Sequence, residues 1–419
     1  MSTSRTLVVI GQGYVGLPLS VRAVEVGYRV IGLDLDHERI RRLTAGLSYV
    51  EDVTGDQTTS LLSSGRFLPT TSYADCAGFD LAVITVPTPL AEGVPDLSFI
   101  EQSGRALAEH VRPGCTVVLE STTYPGTTEE LLAPILEAGS KLRAGSDFYL
   151  GYSPERIDPG NPRFGFTNTP KVVSGVDAES LRVVKAFYDT LIEQTVPVSS
   201  PKVAELTKLL ENTFRHVNIA LVNELAMFAN DLGIDVWEAI DASSTKPFGY
   251  MRFTPGPGVG GHCLPIDPSY LSWDVKRRLG TAFRFVELAN DVNDHMPDYV
   301  VRRIVALLNN ERKAVNGSRL LLLGLAYKKN TSDARESPAV RVAETLLALG
   351  ADVRAADPHV LTTHSRVEIP RAEFTRDEVG AADLVVVLTD HDAFDYRLLE
   401  QARAVFDTRR VVPGKRDLL

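Results

Sequence analysis

The sequence predicts an α/β protein with two Rossmann-like, doubly wound parallel-sheet domains joined by a long helix and a helical dimerisation region. Three features of the 419 residues predict it. Short apolar runs alternate with amphipathic helical patterns in the first half, a helical pattern from Lys202 to Leu232 contains no glycine or proline, and strand-helix alternation resumes at Arg319.

Thr6–Ile10 reads as a buried strand. The turn Gly11-Gln12-Gly13-Tyr14-Val15-Gly16 follows it and opens a helix over 17–26 that Gly27 closes. The strand 28–34 then completes one parallel crossover unit. Apolar runs at 80–86, 115–120 and 148–152 extend the sheet, with a helix at 99–111 among them. In the long helix, Val203, Leu206, Leu209, Leu210, Phe214, Val217, Leu221, Leu225 and Phe228 recur at helical spacing, which suits a domain connector and a dimer face. A Pro/Gly loop, 255–261, precedes a second helix near 283–309. Strands at 319–323, 352–356, 384–389 and 405–408, with a helix at 339–349, make the last sheet. There is no short-period repeat and no low-complexity tract.

Composition narrows the function. Apolar residues are 44% and charged residues 23%, ordinary for a globular protein of two or three domains. A net charge of −10 gives no broad surface for a polyanion, so nucleic acid is not an expected partner. Three cysteines, Cys76, Cys115 and Cys263, make no disulfide framework and suit a reducing compartment. The start lacks an export signal and no apolar run is long enough to span a bilayer, so a cytoplasmic protein with no membrane partner is expected. No Cys/His spacing suggests a metal.

The glycine-rich turn lies between a strand and a helix, and Asp34 ends the second strand 18 residues past Gly16. Glycines there let the backbone approach a pyrophosphate, and helix-start amides supply the anion site. Asp34 suits ribose hydroxyls and repels a 2′-phosphate, so NAD is the expected cofactor. Arg39 fits either the adenine edge or a phosphate, and a turn serving helix packing alone stays open.

In Gly260-Gly261-His262-Cys263-Leu264-Pro265-Ile266-Asp267 a thiol follows a flexible loop, with a carboxylate four residues on. An isolated cysteine fits a small buried hydrophobe as well as a nucleophile. Beside a dinucleotide fold, a thiol can capture an aldehyde, carry it to a thioester and release an acid. Cys76 and Cys115 have no such setting and read as structural. Lys208 and Asn212 form an i,i+4 pair and Arg215 continues their face, either toward a cleft, where an ammonium and an amide stabilise oxyanions, or toward solvent. In Glu120-Ser121-Thr122-Thr123-Tyr124-Pro125-Gly126-Thr127, hydroxyls follow a strand end; Thr122 reads as near the cofactor edge, and plain turn chemistry also fits. His262 either tunes the thiol or points away, and His295 reads as a surface or interface residue.

Together these residues resemble the UDP-glucose/GDP-mannose dehydrogenase family, and within it the bacterial branch that oxidises UDP-N-acetylglucosamine at C6. The marks run through nearly the whole chain: GQGYVGLPLS from Gly11, SYVEDV from Ser48, VPTPL from Val86, ESTTYPGTTEE from Glu120, YSPERIDPGNP from Tyr152, KLLENTFRHVNIALVNELA from Lys208, TKPFGY from Thr245, PGPGVGGHCLPIDPSYL from Pro255 and GLAYKKNTSDARESPAV from Gly324. The resemblance implies an NAD-binding Rossmann domain at 1–198, a helical linker and dimerisation domain carrying the catalytic loop at 199–312, and a UDP-sugar-binding Rossmann-like domain at 313–419. It implies a homodimer and a four-electron oxidation of a nucleotide-diphosphate sugar from C6 alcohol to carboxylate, with two NAD used in succession.

By motif position, Cys263 is then the thioester nucleophile, Lys208 and Asn212 steady the oxyanions, Asp267 takes part in deprotonation and water activation, Thr122 helps hold the water, and Glu155 borders substrate and water. Tyr14, Val15, Thr88, Thr122 and Arg335 join the glycines, Asp34 and Arg39 as cofactor contacts. Arg156, Arg215, Tyr250, Arg252, Gly260 and Lys328 join Glu155, Lys208 and Asn212 as substrate contacts, with Arg409 a further candidate. Glucose-acting members carry a lysine where Ile266 stands and a second acid where Pro159 stands, and Lys246 and Arg252 flank the place of an arginine that in them reaches across the dimer. These departures favour the N-acetylhexosamine branch, and the resemblance as a whole makes UDP-N-acetylglucosamine the expected substrate. UDP-glucose, dTDP-glucose and UDP-N-acetylmannosamine are the alternatives with the same chemistry; a two-electron dehydrogenase with an inert Cys263, and a non-catalytic NAD-binding protein, are the alternatives of another class.

Overall fold

The computed structural model describes residues 5–50, 52–91, 93–158, 161, 163–261, 264, 266–363, 365–413 and 417–419. They divide into two compact units, 1–211 and 212–419.

The first unit is built on a six-stranded sheet: β1 (Thr6–Ile10), β2 (Arg29–Leu33), β3 (Phe67–Thr70), β4 (Leu81–Ile84), β5 (Thr116–Leu119) and β6 (Tyr149–Tyr152). The order is β3-β2-β1-β4-β5-β6, parallel throughout, with Leu7 opposite both Val30 and Leu81. This is the doubly wound dinucleotide-binding order, and its strand order reverses between β1 and β4, where ligands dock beyond the strand ends. Nearly every residue of β1, β4 and β5 is buried, as helices on both faces require. Leu7 and Val9 enter a core with Leu17, Val24 and Tyr188. Helix α1 (Gly16–Glu25) starts one residue before the predicted helix. Within this sheet the strand that the sequence did not predict is β3, which is short and carries Pro69, as a sheet edge tolerates.

The long helix α2 (Pro201–Asp231, 31 residues) runs from the first unit into the second, one residue offset from expectation at each end. Ala204, Leu209, Ala220, Val222 and Ala226 are buried, whereas Leu206, Leu210, Phe214, Leu221, Leu225 and Phe228 stand exposed in one stripe.

The second unit continues with α3 (Asp267–Leu279), α4 (Arg284–Asn310) and a parallel sheet of β7 (Arg319–Leu323), β8 (Asp352–Ala356), β9 (Leu384–Val387), β10 (Val405–Asp407) and β11 (Asp417–Leu418), in the order β8-β7-β9-β10-β11. Helix α5 (Pro338–Ala348) follows β7. Alternation along β7 feeds both faces: Leu320 and Leu322 pack with Val300, Ile304 and Val342, while Leu321 and Leu323 pack with Val379 and Phe394. Among the described residues no helix is long and apolar enough to cross a membrane, and no cluster of metal-ligating side chains occurs.

Candidate active site

In the first unit, the turn after β1 shows why its glycines differ. Gly11 has φ +94°, and a Cβ there would lie 2.7 Å from the Thr85 carbonyl oxygen; at Gly16 a Cβ would lie 1.8 Å from the Gly11 carbonyl oxygen. These two are required by packing. Nothing lies within 4 Å of a Cβ built on Gly13, so the protein itself does not need glycine there and the position is open to a ligand. Helix α1 begins with no side-chain cap on Val15; Leu17 N donates to Gly13 O at 3.1 Å and Pro18 has no amide hydrogen, so of its first three residues Gly16 N is the amide left to an anion. Asp34 is buried at the end of β2. Its Oδ2 accepts from Gln12 N (2.8 Å), its Oδ1 from Asp36 N (2.9 Å), and Arg39 Nη1 reaches Oδ2 at 3.2 Å. This cradle fits a dinucleotide: an open glycine, the Gly16 amide at the start of α1, and an acid where ribose hydroxyls are read. Tyr14 is exposed, Val15 half-buried and Thr88 buried on the same crest.

Beyond β5, Glu120 is buried between Lys171, whose Nζ lies 3.1 Å from Oε1, and the Tyr188 hydroxyl, which donates to the same oxygen. Lys171 Nζ also reaches the Pro154 carbonyl (3.3 Å), next to Glu155. Burial pushes the Glu120 carboxyl up against the pull of Lys171, and Glu155 adds to the rise. Glu120 Oε2 and Glu155 Oε2 are buried without a hydrogen-bond partner among the described residues. Thr122 is half-buried at the start of the loop that follows. That loop is held by Glu205 of α2, which accepts from Gly126 N (2.5 Å), Thr128 N (2.9 Å) and Thr128 Oγ1 (2.7 Å) and leads into a π-helical turn, Thr127–Leu132. Lys208, also on α2 and buried, donates to the Glu155 carbonyl at 2.6 Å. Arg156 pairs with Glu211 at 2.7 Å and donates to Pro170 O.

In the second unit, Asn212 Nδ2 donates to Asp267 Oδ2 at 2.5 Å, both side chains being buried. Asp267 occupies the first turn of α3, where the helix amides favour a carboxylate. Gly260 and Gly261, in the loop before it, are tightly packed. A Cβ on Gly260 would meet the Glu336 carbonyl at 2.7 Å and Tyr327 at 2.8 Å, and Gly261 N donates to Arg335 O at 3.0 Å. Lys328 is half-buried. The Arg335 guanidinium pairs with Asp333, and the Arg409 guanidinium lies within 2.7 Å of where a Cβ on Gly256 would stand. Arg215 and Tyr250 are exposed; Arg252 pairs with Asp241, which also takes Arg410. Cys263, His262 and Pro159 lie outside the described residues. Cys76 and Cys115 are buried, and burial pushes the Cys76 thiol up to about 12 and raises Cys115.

Within each unit, then, the predicted residues converge: Gly11, Gly13, Gly16, Asp34 and Arg39; Glu155 with Lys208; Asn212 with Asp267. Sequence reasoning missed Thr85, Lys171, Tyr188 and Glu205, whose partners are distant in sequence.

Profiles of the UDP-glucose/GDP-mannose dehydrogenase family match the chain three times: its NAD binding domain over residues 5–192, its central domain over 202–295 and its UDP binding domain over 321–414. The chain is 35% identical over 389 residues to the UDP-N-acetyl-D-mannosamine dehydrogenase of Pyrococcus horikoshii, covering 93% of this chain and 90% of that protein. It is also 35% identical over 415 residues to the UDP-N-acetyl-D-glucosamine 6-dehydrogenase of Pseudomonas aeruginosa, covering 98% and 96%. The solved structure of the Pyrococcus horikoshii UDP-D-ManNAc dehydrogenase superposes with a TM-score of 0.89 at 32% identity, covering 99% of this chain and 98% of that one.

Proposed function

We propose, from the premise that the chain belongs to the UDP-glucose/GDP-mannose dehydrogenase family and is an NAD-dependent nucleotide-sugar dehydrogenase, that it oxidises the C6 alcohol of UDP-N-acetylglucosamine to the carboxylate through a cysteine thioester. Bound NAD would supply the hydride acceptor for each of the two oxidations. Gly11, Gly13 and Gly16, with the Gly16 amide, hold its pyrophosphate and Asp34 its ribose, with Arg39, Tyr14, Val15, Thr88, Thr122 and Arg335 as further contacts.

The Cys263 thiolate adds to the C6 aldehyde, and the alkoxide that forms is steadied by donors from Lys208 and Asn212. An ammonium carries three protons, and one of those on Lys208 is committed to the Glu155 carbonyl. Once the thioester is present, water attacks its carbonyl carbon. Asp267 takes the water proton, with Thr122 and Glu155 bordering the water, and the Cys263 sulfur leaves. The observation that carries this reading is the buried Asn212–Asp267 contact, which orients a carboxylate four residues past the thiol.

The segments 1–198, 199–312 and 313–419 are assigned to cofactor binding, to dimerisation with the catalytic loop, and to UDP-sugar binding. Arg156, Arg215, Tyr250, Arg252, Gly260, Lys328 and Arg409 are assigned to the substrate. The exposed stripe of α2 is assigned to a homodimer, to be checked by sedimentation. The protein is assigned to the cytoplasm.

The decisive experiment counts reduced cofactor. Two equivalents per UDP-N-acetylglucosamine with acid as product are expected, and one equivalent with free aldehyde refutes the thiol route. Cys263→Ser is expected to abolish acid formation. Similarity to the Pyrococcus horikoshii enzyme favours UDP-N-acetylmannosamine as a second reading. Because the two sugars differ by few contacts, a kcat/KM ratio of roughly 10–200 is expected to decide between them.

A further inference from the structure

We infer that Asn223, Asn293 and His216 are positioning residues that hold the loop bearing Cys263 from its two ends. The inference rests on the reading of Cys263 as the nucleophile, and all of its geometry lies within the second unit. Gly256 N, at the start of the loop, donates to Asn223 Oδ1 at 2.9 Å. Asn223 Nδ2 donates to Asn293 Oδ1 at 3.0 Å, and Asn293 Nδ2 reaches both the backbone oxygen and Nδ1 of His216 at 3.3 Å. His216 Nε2 lies 2.7 Å from Asn290 Oδ1, and Asn290 Nδ2 lies 3.5 Å from Ser269 Oγ, two residues past Asp267 at the end of the loop. One continuous chain of hydrogen bonds thus joins the residue at which the loop leaves the helical layer to the helix at which it returns.

The bond directions are determined. An amide nitrogen only donates, so His216 Nδ1 accepts from Asn293, and Nε2 carries the proton given to Asn290. A neutral imidazole satisfies every partner, and an imidazolium would set an N–H against the Asn293 amide. Burial pushes the His216 pKa down in the same sense, with Asn290 and the charge of Asp294 as the opposing influences. Asn223, Asn293 and His216 are 0%, 3% and 1% exposed.

Two packed helices need no polar groups between them, and buried amides are costly unless fully paired. These three deliver what apolar side chains cannot: an acceptor for a loop amide. Pro297 extends the arrangement. It has no N–H for the Asn293 carbonyl, and Gly258, at φ +135°, packs against that carbonyl so closely that a Cβ would lie 3.2 Å from it.

The test compares Asn223→Leu, the double variant Asn223→Leu/Asn293→Leu, His216→Leu and His216→Gln with Cys263→Ser. In Asn223→Leu, deuterium uptake in the peptide spanning 254–261 is expected to speed up about tenfold, and kcat to fall ~10- to 100-fold with KM for the nucleotide sugar within about twofold. The double variant removes the Asn223–Asn293 bond but leaves Gly256 N and His216 Nδ1 without their partners, and is expected to regain neither thermal stability nor kcat. His216→Gln, uncharged and able both to give and to accept, is expected to recover most of the kcat lost in His216→Leu. Unchanged deuterium uptake in Asn223→Leu, or a double variant with full kcat, overturns the inference. If the Asn223 variants do not fold, equal kcat for His216→Leu and His216→Gln overturns it. Acid formation by Cys263→Ser would instead overturn the thiol reading and leave the exchange result standing.

Discussion

The two sheets place the same three residue types at their switch points and use them differently. After β1 stand Gly11, with φ +94°, and Thr85 across from it; after β7 stand Gly324, with φ +88°, and Thr389, whose carbonyl oxygen lies 2.6 Å from where a Cβ on Gly324 would stand. The next strand ends in Asp34 in one unit and Asp357 in the other. Asp34 accepts two backbone bonds and an exposed arginine. Asp357 accepts from Leu325 N, Ala326 N, His359 N, Val360 N and His391 Nε2, all at 2.6 to 3.0 Å, and its side chain is fully buried. Four residues lie between Gly11 and the start of α1, against thirteen between Gly324 and α5, which opens on Pro338. One carboxylate keeps acceptor capacity for a ribose, while the other is consumed in tying its own turn together. Shared strand-turn geometry therefore does not imply a shared ligand.

The contrast is testable, most strongly at the two acids. Asp357→Ala strips a buried acceptor from five donors and is expected to cost ~3–5 kcal/mol, lowering the second unit's melting temperature by roughly 10 °C. Asp34→Ala strips fewer donors and is expected to cost less, ~1–3 kcal/mol by thermal unfolding, while raising KM for NAD at least ~10-fold. Equal loss of stability in the two variants would break the comparison.

The glycines come next. Gly11→Ala and Gly324→Ala force a positive φ and a backbone overlap, and each is expected to cost ~1–3 kcal/mol by thermal unfolding. Gly13→Ala, with open space around it, is expected to fold normally and to weaken NAD binding ~10-fold, read by titration.

Acid should act on one unit more than the other. Burial alone would raise Asp357, but its bonds from His391 and the amides of Val360, Leu325 and His359 outweigh burial and hold it well below the usual range. Its stabilisation is therefore full above the unfolded value of ~3.9 and is lost as pH falls toward the folded value. Calorimetry below about pH 4 should show the second unit weakening, with Asp357→Asn showing a flatter dependence. The smallest effect is expected from Asp34→Ser, which frees Arg39 for a 2′-phosphate and should shift the NAD to NADP preference by ~10-fold in kcat/KM.

What was legible in the sequence was local. The crossover β1-α1-β2 and the acid at its end follow from apolar period and glycine spacing within about thirty residues, and α2 announced itself by a long period with no breaker. The second turn was readable as a strand, but not the use of Asp357, because its fifth donor, His391, lies 34 residues away. The Glu120, Lys171 and Tyr188 cluster spans up to 68 residues and the Asn223 and Asn293 pair 70, so no window of sequence contains them. Arg252 is placed among the substrate contacts by its position in a motif; its ion pair with Asp241, eleven residues earlier, is a contact that the motif does not encode.

The amino-acid order alone settled the central strands, the long helix and the dinucleotide turn, since these depend on periodicity and on φ/ψ preferences that act between near neighbours; the short edge strands β3 and β11 carry too little pattern to be read. Tertiary structure alone decided which glycine is open to a ligand, which aspartate retains acceptor capacity and which buried amides meet, because those outcomes depend on desolvation and on hydrogen-bond partners that come together only when distant segments pack.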